Sequence, residues 1–177
     1  MAEKLSDYFP QLQEIQDLDL REKVELCWLI ALERGGWKLA DLERVPFSLT
    51  SDMKEISLAA HTRNVTNTSI AVSKVMSKTG IAAYNINFDI LFAGGLLHDV
   101  GKLLEYKQDG DKWVVSTSGK MLRHPISGCA LAAETGLPEA VQHIIAVHSL
   151  EGDRSPRTTE AWIVHHCDFI NFDPIKK

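Results

Sequence analysis

The sequence places an imidazole next to a carboxylate at His98-Asp99, directly after an apolar run from Ile90 to Leu97. A helix that is apolar on nearly all sides is normally surrounded by other helices, so this pair lies where core packing is expected. Burying a carboxylate without a partner is strongly unfavourable. A cation bound by both side chains would remove this cost. The pair therefore predicts a metal site near the centre of the protein.

Other polar residues lie on the apolar faces of predicted helices. His61, for example, falls in a stripe of apolar residues that recur every three or four positions between residues 58 and 75. A single histidine in such a stripe is more often a hydrogen-bonded core residue than a ligand. The inward-facing polar residues outside the central pair are His61, His124, His148 and Asp168.

Apolar periodicity and helix-ending residues predict a mainly helical chain. The predicted helices cover residues 19–33, 52–78, 87–97, 124–135, 138–148 and 159 onward, with short helical segments at 10–16 and 39–43. Ser51 is the predicted cap of the helix over 52–78. Two short runs at 103–106 and 113–115 flank Asp109-Gly110 and predict a β-hairpin. The expected fold class is all-α, a helical bundle with one small β-hairpin.

Composition restricts the class of protein. The chain has 177 residues, a formal net charge of −5 and three cysteines that form no paired motif. We expect reduced thiols and a cytoplasmic protein, since residues 1–10 do not resemble a signal peptide and no apolar run reaches the ~18 residues of a membrane span. We expect no nucleic-acid surface, because no basic stripe with interleaved aromatic residues is present. The sequence leaves the oligomeric state open.

The pattern around the central pair resembles the HD-domain superfamily of metal-dependent phosphohydrolases, which is named for an adjacent His-Asp. A histidine lies 37 residues before His98, a glycine lies two residues after Asp99, and an aspartate follows about 70 residues later. These three residues are His61, Gly101 and Asp168. The resemblance covers residues from about 55 to 170. We expect an HD-type domain over 51–177 and a helical cover without chemistry of its own over 1–50.

The resemblance implies a set of metal ligands. A first ion would be held by His61, His98, Asp99 and Asp168. His124 and His148 match the two additional histidines of the binuclear branch, in which the aspartate of the pair bridges both ions. Mixed imidazole and carboxylate ligands suit Fe, Mn, Co, Ni or Zn better than Mg or Ca. One or two such ions are expected, with two as the preferred number.

Departures from other branches narrow the resemblance. The cyclic dinucleotide phosphodiesterases with a Gly-Tyr-Pro signature carry two adjacent histidines, whereas Ser149 follows His148 here. Trinuclear members use a glutamate four residues before the first histidine, and Ser57 stands at that position. Two ions are therefore the upper limit. His165, one helical turn before Asp168, is expected to be a core or ligand-supporting residue rather than a ligand.

Such a site would favour phosphate ester hydrolysis. Two divalent ions and two carboxylates leave net positive charge, which favours an anionic substrate whose charge grows in the transition state. Metal ions also lower the pKa of bound water towards about 7, so a hydroxide can attack phosphorus at neutral pH. Lys102 and Arg123 are the nearest cations that could bind the phosphoryl oxygens, and each could instead be a solvated surface residue. Asp99 and Lys102 are the predicted catalytic residues.

The preferred function is a phosphomonoesterase or phosphodiesterase that acts on a small phosphorylated molecule or a nucleotide. Two alternatives stay open. Some relatives of this fold use a di-iron pair with the same ligand types to activate oxygen, and others are non-catalytic signalling modules. Lys102 after the motif resembles the hydrolase branches more closely, and signalling modules usually lack ligands that are all present here.

Overall fold

The computed structural model describes residues 3–50, 55–81 and 84–175. The α-helices are α1 (Leu5–Tyr8), α2 (Leu18–Gly35), α3 (Leu58–Met76), α4 (Phe88–Leu97), α5 (Lys102–Glu105), α6 (His124–Glu134), α7 (Glu139–Val147) and α8 (Thr159–Phe172). Short 3-10 helices cover Pro10–Glu14, Leu39–Glu43, Ser77–Thr79, Leu150–Gly152 and Asp173–Ile175. Two strands, β1 (Tyr106–Asp109) and β2 (Lys112–Val115), pair antiparallel. The predicted fold class, a helical bundle with one small β-hairpin, is confirmed.

Helix α4 lies at the centre of the bundle, where it contacts α2, α3, α7 and α8. Asn87 caps its first turn by accepting a hydrogen bond from the Ile90 amide. Two glycines let its neighbours approach closely. A Cβ on Gly94 would lie 2.5 Å from the Ile144 side chain of α7, and one on Gly95 would lie 3.1 Å from Thr66 of α3. The C-terminal end of helix α4 therefore lies in the middle of the core.

Helix α3 starts later than predicted. The predicted cap Ser51 and the first predicted turn at 52–54 lie outside the described residues. Ser57 is the actual cap, because its side chain accepts from the Ala60 amide at 3.1 Å. Ser57 also forms an isolated antiparallel bridge with Pro46, so the backbone just before Leu58 is extended. The predicted helix over 52–78 is wrong at residues 55–57, which precede the first turn of α3.

The β-hairpin is shifted along the chain. Residues 103–106, predicted as its first strand, are mostly helical, because the chain continues after α4 in helical turns such as that closed by the Glu105 amide on the Gly101 carbonyl. The strands begin at Tyr106, and Asp109 pairs with Lys112 across a two-residue turn. Gly110 has a positive φ of 58° in that turn, a backbone conformation that glycine adopts without strain.

The N-terminal segment packs on the same core as α4. Phe9 and Trp28 are fully buried with ring centroids 4.7 Å apart, and they belong to the hydrophobic cluster that also contains Leu96 and Leu97. The side chain of Asp89 in α4 accepts hydrogen bonds from two backbone amides that precede α2. A boundary between a cover and an HD-type domain after residue 50 stays a prediction.

Candidate metal centre

The six predicted ligands lie together, although they come from separate elements. His98 directly follows α4, His61 lies in α3, and His148 directly follows α7. His124 is the first residue of α6, and Asp168 lies in α8. The four histidines among these predicted ligands are each at least 95% buried. The helical bundle therefore converges on one small volume around Asp99.

Asp99 lies between two groups of histidines. Its Oδ2 is 3.4 Å from Nε2 of both His61 and His98. Its Oδ1 is 3.4 Å from Nε2 of His124 and 3.6 Å from Nε2 of His148. Within each group of two histidines and Asp99, the candidate ligand atoms lie within 4.8 Å of one another. Each carboxylate oxygen thus faces its own pair of imidazoles.

Asp168 lies next to the first of these groups. Its Oδ1 lies 3.0 Å from Nε2 of His61. Burial raises the pKa of Asp168, but the contact with His61 and the nearby charge of His98 outweigh it and hold the pKa at about 2. The carboxylate is therefore ionised at neutral pH and can bind a cation.

Hydrogen bonds from the far side of the rings orient the ligand nitrogens. Nδ1 of His98 donates to the Gly95 carbonyl at 2.7 Å, and Nδ1 of His148 donates to the Ile145 carbonyl at 2.8 Å. A carbonyl oxygen only accepts, so Nδ1 carries a proton, and in the neutral ring Nε2 presents its lone pair to the site. This is how proteins commonly fix a metal-binding imidazole.

Glu105 orients His124 in the same way, and sequence reasoning missed it. Its Oε2 accepts from both the backbone amide and Nδ1 of His124, each at 2.7 Å. Burial lowers the pKa of His124 to about 4, against the opposing effect of the Glu105 carboxylate, so the ring is neutral at pH 7 as ligation requires. The available signal is Glu105 itself, an acidic residue within the apolar run at 103–106. The prediction of a strand for this run concealed it.

Two further residues contact the predicted ligands. Nδ1 of His165 donates to the carbonyl of His148 at 2.6 Å, so His165 holds the backbone that carries this ligand. The ring of Phe47 stacks on His61 with centroids 4.2 Å apart. Phe47 lies in the segment to which sequence analysis assigned no chemistry, and a single phenylalanine there gave no signal.

The donors suit a divalent transition metal. Asp99 Oδ1 and His148 Nε2 are buried and have no hydrogen-bond partner within the described part of the chain. Burying such groups without a partner costs about 1–3 kcal/mol each, and a cation would satisfy both. Burial raises the pKa of Asp99, yet the Lys102 ammonium and His98 hold it well below its usual value. Imidazole nitrogens and ionised carboxylates together match the preferences of Mn, Fe, Co, Ni and Zn.

Comparison with known families agrees with this geometry. The sequence pattern of the HD domain matches residues 58–171, which include every residue of the two histidine groups and Asp168. The chain belongs to the HD-domain family. The predicted superfamily is thereby confirmed, and the metal dependence of that family agrees with the donor set described above.

Several characterised proteins are similar to this HD-domain chain. The dihydroneopterin 2',3'-cyclic phosphate phosphodiesterase of Methanocaldococcus jannaschii is 30% identical over 164 residues, which is 88% of this chain and 64% of that protein. Ribonuclease Y of Thermoanaerobacter pseudethanolicus is 32% identical over 111 residues, or 62% of this chain and 18% of that enzyme. Ribonuclease Y of Chloroflexus aurantiacus is 30% identical over 90 residues, or 51% of this chain and 15% of that enzyme.

The chain thus spans less than two thirds of the length of each of these relatives. No solved structure has significant similarity to it. None of the helices within 3–50, 55–81 and 84–175 combines the length and apolar character needed to cross a membrane.

A cavity of about 260 Å³ opens onto the HD-domain site. Its lining residues include Asp99, Lys102, Tyr106, Arg123, His124 and Asp168. Nζ of Lys102 lies 2.5 Å from Asp99 Oδ2, and the side chain is largely buried. Burial lowers the pKa of Lys102, but the Asp99 carboxylate outweighs it and raises the pKa. An ammonium group therefore stands at the cavity floor beside the predicted bridging carboxylate.

Arg123, the second predicted phosphate-binding residue, lies at the rim. Its Nε is 3.3 Å from Oε1 of Glu105 and 3.5 Å from Oε1 of Glu151, and its side chain is 55% exposed. The guanidinium thus lines the same cavity as Lys102 but is partly paired with two carboxylates. Binding of a phosphoryl group by Arg123 stays a prediction.

Replacing Glu105 by alanine should weaken metal binding selectively on the His124 side. Loss of the carboxylate frees the His124 ring to rotate, and removal of such supporting groups typically lowers metal affinity about 10–100-fold. Titration of the metal-free protein should then show one site unchanged and one weakened. Glu151→Ala, which removes a carboxylate from the rim without a ligand contact, is the control. Two unchanged sites in Glu105→Ala would contradict the assigned role of Glu105.

Proposed function

We propose that this HD-domain protein is a phosphoric ester hydrolase that uses two divalent transition-metal ions. The observation that carries the proposal is the position of Asp99, with one oxygen toward His61 and His98 and the other toward His124 and His148. A carboxylate placed in this way is suited to bridge two cations. The first ion would be held by His61, His98, Asp99 and Asp168, and the second by Asp99, His124 and His148.

Bound ions would activate a water molecule at neutral pH and neutralise charge on a phosphoryl group. The protein's own residues position the substrate. Lys102 and Arg123 reach the cavity from its floor and its rim, so together they can bind the non-bridging phosphoryl oxygens. Tyr106 lines the same cavity, and burial raises its pKa to about 12. Its hydroxyl stays protonated and can donate a hydrogen bond to the ester.

The names of the relatives support a phosphodiester as substrate. The archaeal relative is named for a 2',3'-cyclic phosphate, and it aligns with most of this chain. A small phosphorylated molecule or nucleotide is therefore the preferred substrate class, and we place its hydrolysis in the cytoplasm. RNA is the second candidate, because the other relatives are ribonucleases, although they match this chain over less than a fifth of their own length.

The test is a hydrolysis screen on protein reconstituted separately with Mn, Fe, Co, Ni and Zn. Substrates should include nucleoside monophosphates, 2',3'-cyclic nucleotides and a short RNA, and oxygen consumption should be recorded with the iron form. We expect metal-dependent phosphate ester cleavage, with the cyclic diesters cleaved most rapidly, and no oxygen uptake. Oxygen uptake without hydrolysis would instead identify the di-iron oxygenase alternative. Full metal loading without either reaction would favour a signalling module.

A further inference from the structure

The cavity beside the metal centre is lined by both charged and aromatic side chains. The aromatic lining residues besides Tyr106 are Phe47, Phe169 and Phe172. Phe47 is fully buried under His61 and has a structural explanation. Phe169 and Phe172 are half-buried, and we refer to these two residues as the aromatic wall.

Helix α8 fixes the aromatic wall relative to the metal centre. Phe169 directly follows the predicted ligand Asp168. Phe172 lies four residues after Asp168. Residues four apart lie on the same face of a helix, and one turn advances the chain by about 5.4 Å. Asp168 and Phe172 also line the same cavity, so a phosphoryl group bound next to Asp168 can place the organic part of its ester beside Phe172.

The aromatic wall is a preformed surface. Phe169 and Phe172 pack edge to face with centroids 6.4 Å apart, and Phe172 packs in the same manner on Phe47 at 6.1 Å. This arrangement is favourable for aromatic pairs and holds each ring in a defined orientation. A planar ligand could therefore bind without the cost of ordering these side chains.

Leu150 adds an exposed apolar side chain to the cavity lining. It lines the same cavity, is 67% exposed and follows the ligand His148 by two residues. Polar groups lie close by, since Ser149 and Tyr106 also line the cavity. An alkyl chain would offer these two hydroxyls no hydrogen bonds, whereas the heteroatoms of an aromatic ring would. The combination of apolar and hydroxyl lining favours a heteroaromatic ligand.

We propose that Phe169 and Phe172 determine specificity by stacking on a planar heteroaromatic ring, such as a nucleobase, in the organic part of the substrate. This inference rests on the proposed hydrolase function and names its substrate class. The cavity volume of about 260 Å³ is slightly below the ~300–1,000 Å³ of typical small-molecule sites. It therefore accommodates one ring and one phosphoryl group, with any larger part of the ligand outside.

Calorimetric binding to the manganese-loaded protein tests the proposal without requiring turnover. The ligands are AMP, ribose 5-phosphate, which lacks the base, and hexyl phosphate, which is apolar but not aromatic. Stacking of one base on aromatic side chains is typically strong enough that AMP should bind about tenfold or more tightly than either of the others. Phe172→Leu and Phe169→Leu keep apolar bulk but remove the ring face. Each should reduce the advantage of AMP to about threefold or less, with metal content and ribose 5-phosphate affinity unchanged.

Ile170→Ala is the matched control, because Ile170 is exposed on the same helical turn and does not line this cavity. It should bind all three ligands as the wild type does. The proposal is overturned if hexyl phosphate binds as tightly as AMP, or if both leucine variants keep the full preference for AMP. Hydrolysis without any preference for a base would overturn this inference alone. A preference for AMP without hydrolysis of any ester would support the aromatic wall and overturn the proposed function.

Discussion

Replacing Asp99 by asparagine should abolish stoichiometric binding of both metal ions and lower hydrolysis by about 10³-fold or more. The carboxylate is fully buried, and its two oxygens face different pairs of histidines. An amide keeps the shape but lacks the negative charge, and only one of its two polar atoms can accept a metal ion. Loss of a single charge-stabilising group in an active site already lowers the rate about 10²–10³-fold, and here the ions themselves are lost. Elemental analysis and initial rates measure the two effects.

Substitutions at the outer ligands should separate the two ions. Asp168→Asn removes a carboxylate from the His61 side only, and His148→Ala removes an imidazole from the His124 side only. Each variant should retain about one equivalent of metal where the wild type has two. If Asp99→Asn still binds two equivalents, or if His148→Ala and wild type both bind one, Asp99 does not bridge two ions.

The sequence could indicate most of these predicted ligands because they break an otherwise apolar pattern. A polar residue such as His61 in an apolar stripe stands out at any helical spacing, and the central pair follows a run that is apolar on every side. Their convergence on one point could not be read from periodicity, which places a residue on a face of its own helix but does not say which helix it meets. The resemblance to HD domains supplied that step.

The supporting residues were harder to predict for a physical reason. Glu105 and Phe47 act through contacts with side chains 19 and 14 residues away in the chain, and such contacts leave no local pattern. The position of Glu105 was further obscured by the error in the hairpin. A short apolar run such as 103–106 suits a strand or a buried helical turn equally well, and the preceding helical turns decided the outcome.

The start of α3 was predicted wrongly because a local hydrogen bond, rather than apolar periodicity, sets it. The apolar and polar alternation before Leu58 continues the pattern of α3, but the Ser57 side chain accepts from the Ala60 amide, so the helix begins at Leu58. A serine is a strong N-cap, and two serines in close succession offer two possible starts. The hydrogen bond from the Ala60 amide and the bridge between Ser57 and Pro46 identify Ser57 as the start.

Replacing Lys102 by methionine should lower kcat by about 10²-fold while leaving the metal content at the wild-type level. Lys102 lines the cavity and is not a metal-ligand type, so its ammonium can bind a phosphoryl oxygen in the transition state. Loss of a charge-stabilising donor has an effect of this size, and a selective effect on kcat identifies an interaction made mainly in the transition state. Lys107→Met, at an exposed lysine on β1, is the matched control and should leave kcat unchanged.

The same variant should depend on metal for its stability more than the wild type does. The Lys102 ammonium lies 2.5 Å from the buried Asp99 carboxylate, and removing one partner of a buried ion pair is destabilising by about 3–5 kcal/mol. Bound cations would replace the lost charge. Thermal unfolding with and without a chelator should therefore show a larger fall in Tm for Lys102→Met than for wild type or Lys107→Met. Full metal content with undiminished turnover in Lys102→Met would remove Lys102 from catalysis.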